Sequence, residues 1–225
     1  ADRGREDIDV VVVHTMESPE IPEAAERVAA WFAGPSAPQA SAHYCIDSDS
    51  VVQCVREQDV AWAAPGNNSD GVQLEHSGYA RQTTRDWHDA YSTALLKLSA
   101  KLAAGICARY RIPAVWLSPE DLRAGLRGIT SHRNVSRAWG RSTHTDPGLD
   151  FPVAEYLALV NRSLRPRPRR KSMATAKPWP VLQVGSGGWR VRKLQRWLRG
   201  AGIRLELSPS AEGVYGESTR RAVAA

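Results

Sequence analysis

At 225 residues and a net charge of +6, the chain has room for one large domain or a medium domain plus a small one, and its basic balance points first to nucleic acid or a membrane surface. Hydrophobic residues at 42% and charged residues at 24% are ordinary for a soluble globular chain and exclude disorder over its whole length. The longest aliphatic run, Val10-Val11-Val12-Val13, is far shorter than the ~20 residues of a membrane span.

In chain order, Ile8 to Val13 reads as a buried strand, β-rich and without polar interruption. Ser18 is the expected N-cap of a helix with Pro22 in an early turn and Gly34 at its end. Ala42 to Val55 reads as two strands around the polar turn Asp47-Ser48-Asp49-Ser50, and Val72 to Glu75 as a short strand. Trp87, Tyr91, Leu95, Leu98, Leu102, Ile106 and Tyr110 recur at helical spacing and predict the longest helix. Ser118-Pro119-Glu120-Asp121 opens another, with a cap, a proline and two first-turn acids. Phe151 to Leu164 is again helical. Strands interleaved with helices predict an α/β body. In the tail, Gly185 to Gly188 precede a helix with Val191, Leu194, Trp197 and Leu198, a turn follows at Gly213 and Gly216, and Ser218 starts a last short helix. A small helical bundle is the expectation there.

The charge is unevenly placed. Residues 1–161 carry 15 basic and 21 acidic side chains, residues 162–177 seven basic and no acidic, and residues 178–225 eight basic and three acidic. With Pro166, Pro168, Pro178 and Pro180 the middle strip reads as an extended linker. The expected organisation is a domain over 1–161, a linker over 162–180 and a helical module over 181–225. Of the three cysteines, Cys45 and Cys54 flank the predicted hairpin turn; free thiols are the expectation, with pairing the alternative. No charged-then-apolar leader opens the chain, and Ala1 in place of Met is compatible with a removed signal peptide or another domain upstream. Arginine outnumbers lysine 25 to 5, the bias of a GC-rich coding sequence and so of an actinobacterial source or host.

His14 directly follows the first strand, where an imidazole faces a site mouth rather than a core; taken alone such a histidine is more often solvated or simply hydrogen-bonded. His132 follows Gly128-Ile129-Thr130-Ser131 in the same way, at a strand end or loop. Asp146, in Asp146-Pro147-Gly148, reads on its own as the first residue of a turn. Together, two imidazoles and one carboxylate make a catalytic zinc set with the fourth position open to water, where the metal lowers that water's pKa and polarises a carbonyl. Glu75, on an otherwise apolar strand, is the candidate proton shuttle, or else a surface carboxylate on an edge strand. His144, two residues before Asp146, is the candidate donor to an oxyanion, or else a loop histidine without a task.

The ordered segments Val11-Val12-Val13-His14-Thr15, Ser41-Ala42-His43-Tyr44, Val72-Gln73-Leu74-Glu75-His76-Ser77-Gly78, Ile129-Thr130-Ser131-His132-Arg133-Asn134-Val135 and Thr145-Asp146-Pro147-Gly148 resemble the type 2 N-acetylmuramoyl-L-alanine amidases, the zinc amidases shared by phage lysins, bacterial muropeptide amidases and peptidoglycan recognition proteins. The likeness spans about residues 8–161. It implies a central mixed β-sheet flanked by helices, zinc held by His14, His132 and Asp146, Glu75 as the catalytic glutamate, and His144 where the family often has a lysine that steadies the transition state. His43 and Trp62 are candidate groove residues, with hairpin packing the alternative. Trp62-Ala63-Ala64-Pro65 stands where the family has Trp-His-Ala-Gly, so one substrate-facing histidine is absent, and the loop from Val135 to Thr143 reads as long.

In the tail, Val184 to Leu198 and Glu212 to Val223 resemble a small three-helix peptidoglycan-binding domain whose last helix lacks its usual end after Ala225. The expectation is therefore a clipped module, or one completed by something outside this chain; the alternative is a helical cap that binds nothing. The resemblance implies zinc-dependent cleavage of the amide between N-acetylmuramic acid and L-alanine by a monomer. Its partners are peptidoglycan and anionic wall polymers, with no membrane insertion. The layout fits a phage endolysin, of an actinobacteriophage by the arginine bias, made in the host cytoplasm and released to the wall at lysis; a secreted bacterial wall enzyme is the alternative setting. A non-catalytic peptidoglycan-binding protein on the same fold is the second class. A nucleic-acid binder using the arginine strip is the third, disfavoured because no helix-turn-helix or zinc-finger pattern accompanies it.

Overall fold

Val10–Thr15 forms strand β1, buried along its whole length. Its four valines suit a strand covered on both faces, where no polar alternation is needed. Tyr44–Ile46 (β2) and Val51–Gln53 (β3) pair antiparallel around a turn in which Asp47 Oδ1 accepts from the backbone N–H of Asp49 and Ser50, an Asx-type closure. Gly71–His76 (β4) and Gly128–Ser131 (β5) complete a five-stranded sheet of order β3-β2-β4-β1-β5. β1 lies parallel to β4 and β5, and β2 parallel to β4, so four strands end on the same edge. The computed structural model describes residues 4, 7–37, 39–165 and 181–224.

Ala24–Phe32 (α1), Ala90–Tyr110 (α2), Pro119–Arg123 (α3), His132–Trp139 (α4) and Val153–Leu164 (α5) flank the sheet. Alternation along the strands divides the core. Val11, Val13, Val72 and Leu74 pack with Leu95 and Ile106 of α2, Tyr156 of α5, and Trp87 and Phe151. Val10 and Val12 pack on the other face with Leu117, Leu122 and Val135, the latter two from α3 and α4. The α/β body with a mixed sheet and flanking helices is thus as expected.

Several boundaries differ. Ser18 does not cap α1; it bridges to Gly78, and the helix begins at Ala24 behind Glu23, which holds φ 64°. Pro19 and Pro22 keep the residues before them out of helical geometry. α2 begins at Ala90, where the Asp89 side chain accepts from Ser92 N–H; Trp87 sits ahead of it in a 3-10 turn, still in the core. The stretch after Val135, read as a long loop, is helical to Trp139: Ser131 caps α4 by accepting from Asn134 N–H, and Gly140 ends it at φ 63°. β4 is not an edge strand but the middle one.

The chain divides into two compact units at residues 166 and 167. α5 runs to Leu164, past the expected boundary at 161; most of the expected linker, residues 166–180, lies outside the described residues. In the second unit, Trp189–Gly200 (α6), a 3-10 turn at Pro209–Ala211 and Glu217–Ala224 (α7) enclose Leu198, Leu205 and Ala222. Gln195 is buried; its amide donates to Val214 O and Thr219 Oγ1, and its oxygen accepts from Gly213 N–H. These bonds account for a glutamine directly after Leu194 on the inner side of α6.

The β2–β3 hairpin is tied to the end of α2 through one carboxylate. Glu57 accepts from Tyr44 OH, Tyr110 OH and the Arg109 guanidinium. Burial alone would raise its pKa; the bonds from Arg109, Tyr110 and Tyr44 outweigh it and hold the carboxyl below its ordinary range. Glu57→Gln is expected to lower the unfolding free energy by about 2–3 kcal/mol at pH 7. Because the folded pKa is depressed, the wild-type advantage is complete above the unfolded value of ~4.3. It is lost as pH falls through the folded pKa, so urea titrations at neutral and acid pH should show the gap closing.

Candidate active site

Register places one row of side chains across the sheet: Val52 opposite Cys45, Cys45 opposite Glu75, and Glu75 opposite His14. The row lies near the carboxyl ends of the parallel strands, where open α/β sheets carry their ligand sites. β5 delivers His132 to the same edge as the first residue of α4. Asp146 reaches it from the following loop, whose carbonyl at Asp146 accepts from Arg133 N–H, so the first turn of α4 anchors the loop. The Asp146–Pro147 bond is cis. Gly148 completes the turn at φ 95°, where an added Cβ would meet Ala80 O at 2.1 Å.

Donor atoms converge on one point. His14 Nδ1 is 3.2 Å from Asp146 Oδ2, and His132 Nδ1 is 3.2 Å from Asp146 Oδ1. The ligating atoms of the three residues all lie within 4.8 Å of one another, and all three are buried. Behind each imidazole stands an oxygen. His14 Nε2 donates to Gln73 Oε1 at 2.9 Å, and His132 Nε2 lies 3.2 Å from Ser142 Oγ, itself 2.6 Å from Ser136 Oγ. An amide oxygen only accepts, so the proton of neutral His14 belongs on Nε2 and its Nδ1 lone pair faces the cluster. This is the outer support that metal-ligating histidines ordinarily have. Two imidazoles and a carboxylate so arranged fit a divalent metal ion of the zinc type.

Glu75 Oε1 lies 3.9 Å from His14 Nδ1, while Glu75 Oε2 is buried without a hydrogen-bond partner. Burial, reinforced by Asp146, raises Glu75 to about 7 against the pull of His14. Burial would lower His14, but Glu75 and Asp146 carry it up to about 9. Asp146 is held far below the ordinary carboxylate range: burial opposes this, and both histidines outweigh it. His132 is lowered by burial despite Asp146. A carboxyl that titrates near 7 beside a metal-type cluster has the pKa of a general acid–base.

His14, Glu75, His132, His144 and Asp146 open onto a groove of about 250 Å³ walled by Met16, Val28, Trp31, Phe32 and Trp62. His144 is 64% exposed on its side chain, stacks on His132 with ring centroids 4.3 Å apart, and brings Nδ1 to 3.4 Å from Asp146 Oδ1. Trp62, 63% exposed, lines the groove.

Residues 4–149 match the family described as N-acetylmuramoyl-L-alanine amidase. The chain belongs to that family. N-acetylmuramoyl-L-alanine amidase A of Achromobacter lyticus is 32% identical to the amidase over 164 residues, 67% of this chain and 82% of that protein. Among solved structures, the Staphylococcus aureus hydrolase AmiA in complex with its ligand superposes with a TM-score of 0.54 at 17% identity, covering 73% of this chain and 78% of that one; at that identity the likeness is one of fold.

The amidase therefore brings His14, Glu75, His132, His144 and Asp146 together, and leaves one expected residue out. His43 does not reach the groove. It is fully buried, its Nδ1 accepts from Gln73 N–H and its Nε2 bonds Asp59 O, which makes it a fastener between β4 and the segment after the hairpin. Gln73, Ser142, Trp31 and Phe32 escaped the sequence reading. Gln73 had a signal: a polar residue two places before Glu75 on an apolar strand shares its face. Trp31 and Phe32 fall inside the helix expected between Ser18 and Gly34, with nothing in the sequence to mark them as groove residues. Gln73→Met is expected to leave the fold intact and weaken metal retention by about 10–100-fold, measured by competition between the folded protein and a chromogenic zinc chelator.

Proposed function

We propose that this amidase is a zinc enzyme that hydrolyses the amide joining N-acetylmuramic acid to L-alanine in peptidoglycan. His14, His132 and Asp146 hold the metal, Glu75 moves the proton and His144 steadies the oxyanion. The observation that carries the reading is the pairing of Glu75 with His14 in one buried row, beside His132 and Asp146, at the floor of an open groove. Zinc held by these three side chains acidifies water and polarises a carbonyl. Glu75, buried beside His14 with Oε2 unpartnered, accepts the proton of the attacking water and delivers it to the departing L-alanine amine. His144 stands beside Asp146 with its ring exposed to the groove, in reach of an oxyanion it stabilises by donating a hydrogen bond. Trp62 and Trp31 on the walls offer flat apolar faces to sugar rings and the stem peptide. A purely binding role on the same fold is less well supported: the family match and the amidase relative both point to the enzyme, and the three donor residues stand together beside Glu75.

The setting we propose is a phage endolysin acting on an actinobacterial host wall, made in the host cytoplasm and released at lysis, working as a monomer. The second unit is read as a wall-binding module. Trp189 and Trp197 are exposed on α6 among Arg190, Lys193 and Arg196, a surface suited to sugar faces and to anionic wall polymers. Attachment there raises the effective concentration of the enzyme on an insoluble substrate.

Digestion of purified peptidoglycan is expected to release new L-alanine amino termini without new reducing sugars, to stop on chelation, and to return on adding zinc. Glu75→Gln should retain the metal and lose about 10²–10⁴-fold in rate. Activity that survives chelation, or that is unchanged in the variant, refutes the assignment. Trp197→Ala is expected to cut co-sedimentation with intact walls about tenfold, ~1.4 kcal/mol, while hydrolysis of a soluble muropeptide stays unchanged.

A further inference from the structure

Two of the three cysteines meet beside the active row. Cys45, fully buried on β2, is the register neighbour of Glu75 and shares its face of the sheet. Cys54 lies one residue past the end of β3 and is half-buried. Its backbone N–H donates to His43 O, which keeps it across from β2, and the two Sγ atoms are 3.7 Å apart. Cys107 belongs to the core cluster under α2, on the opposite face of the sheet.

We propose that Cys45 and Cys54 are a disulfide-forming pair that closes outside the cytoplasm and staples together the two arms of the hairpin that lies beside the strand bearing Glu75. The thiol contact is the geometric basis; the occasion rests on the proposed action on peptidoglycan, which lies beyond the reducing compartment. Closing the gap to the ~2.05 Å of an S–S bond requires only a short approach by Cys54, which is outside the strand ladder. The two thiols are also chemically unequal. Cys54 is half-buried and Cys45 fully buried; their contact lowers Cys54 and raises Cys45, which burial raises further. The accessible sulfur is therefore the nucleophile and the buried one the resolving thiol. Cys54 thiolate attacks the disulfide of an oxidised small thiol, forming a mixed disulfide and expelling one thiolate. Cys45 gives its proton to solvent and attacks Cys54 Sγ, expelling the second. Two protein thiols are oxidised and one small-molecule disulfide is reduced to two thiols.

The test uses the full chain incubated with glutathione disulfide or with reduced glutathione, then unfolded in denaturant, alkylated and digested with trypsin. Peptide 28–56 contains both cysteines. After oxidation it should lose two hydrogens and take no alkyl group, while Cys107 takes one in both samples. The melting temperature of the oxidised protein should rise by about 5 °C, and Cys54→Ser should abolish the rise. Two alkylatable thiols in that peptide, a reaction that stops at a glutathione adduct on Cys54, or an internal bond that leaves the melting temperature unmoved would each overturn the proposal. These readings do not involve hydrolysis: a protein that forms the bond but cuts no peptidoglycan counts against the proposed function alone.

Discussion

Glu75 and Asp146 are two carboxylates set at the floor of a groove with His14 between them, 3.9 and 3.2 Å from Nδ1. Taking ionised carboxylates out of water is costly unless positive charge accompanies them. At His14 burial pulls the pKa down and the two acids carry it up to about 9, so the cluster favours positive charge. Glu75 answers by rising to about 7. The same concentration of negative charge suits the three donors to a divalent cation, and it keeps the glutamate close to the point where it can both take and release a proton.

The sheet turns that demand into fixed positions. Parallel strands put Glu75 and His14 side by side at the same height, and alternation sends Gln73 and Glu75 to one face and His76 to the other. There His76 bonds the His14 carbonyl through Nδ1 and approaches Ser99, which meets Tyr156 OH. Burial holds His76 down at about 4, so it is neutral and serves as a fixed brace from the hydrophobic side. Asp146 comes from a loop, yet its backbone is bonded to the first turn of α4. The cluster thus depends on short regular elements rather than on long side chains searching for partners.

The chemistry of this site was more legible in the sequence than its mechanical support. His14, Glu75, His132 and Asp146 sit at strand ends or in a turn at irregular spacing, and it is the family resemblance rather than the spacing that marks them as a set. For His43 the sequence leaves groove and hairpin packing open, because a histidine before a hairpin suits both, and its bonds to Gln73 N–H and Asp59 O favour packing. α4 was missed because its residues, HRNVSRAW, have one apolar face supplied by Val135 and Ala138, too short a period to distinguish from a loop; the cap at Ser131 and Gly140 at the other end were the available signals. The groove walls at Trp31 and Phe32 were hidden by an expected helix that began too early.

Charge along the chain bears on how the two units divide the proposed work. The basic excess lies after residue 161, whereas the body around the site is net acidic. Attraction of a cationic module to an anionic wall is long-ranged, weakened by salt and indifferent to local chemistry. It therefore raises the time spent on the wall without choosing a bond. The choice has to be made in the groove, where Trp31, Phe32 and Trp62 shape the space in front of Glu75. An acidic body also limits how tightly the catalytic unit itself adheres to the same polymers. If the second unit binds the wall as proposed, the uneven charge places the stronger attraction to anionic polymer away from the groove that chooses the bond.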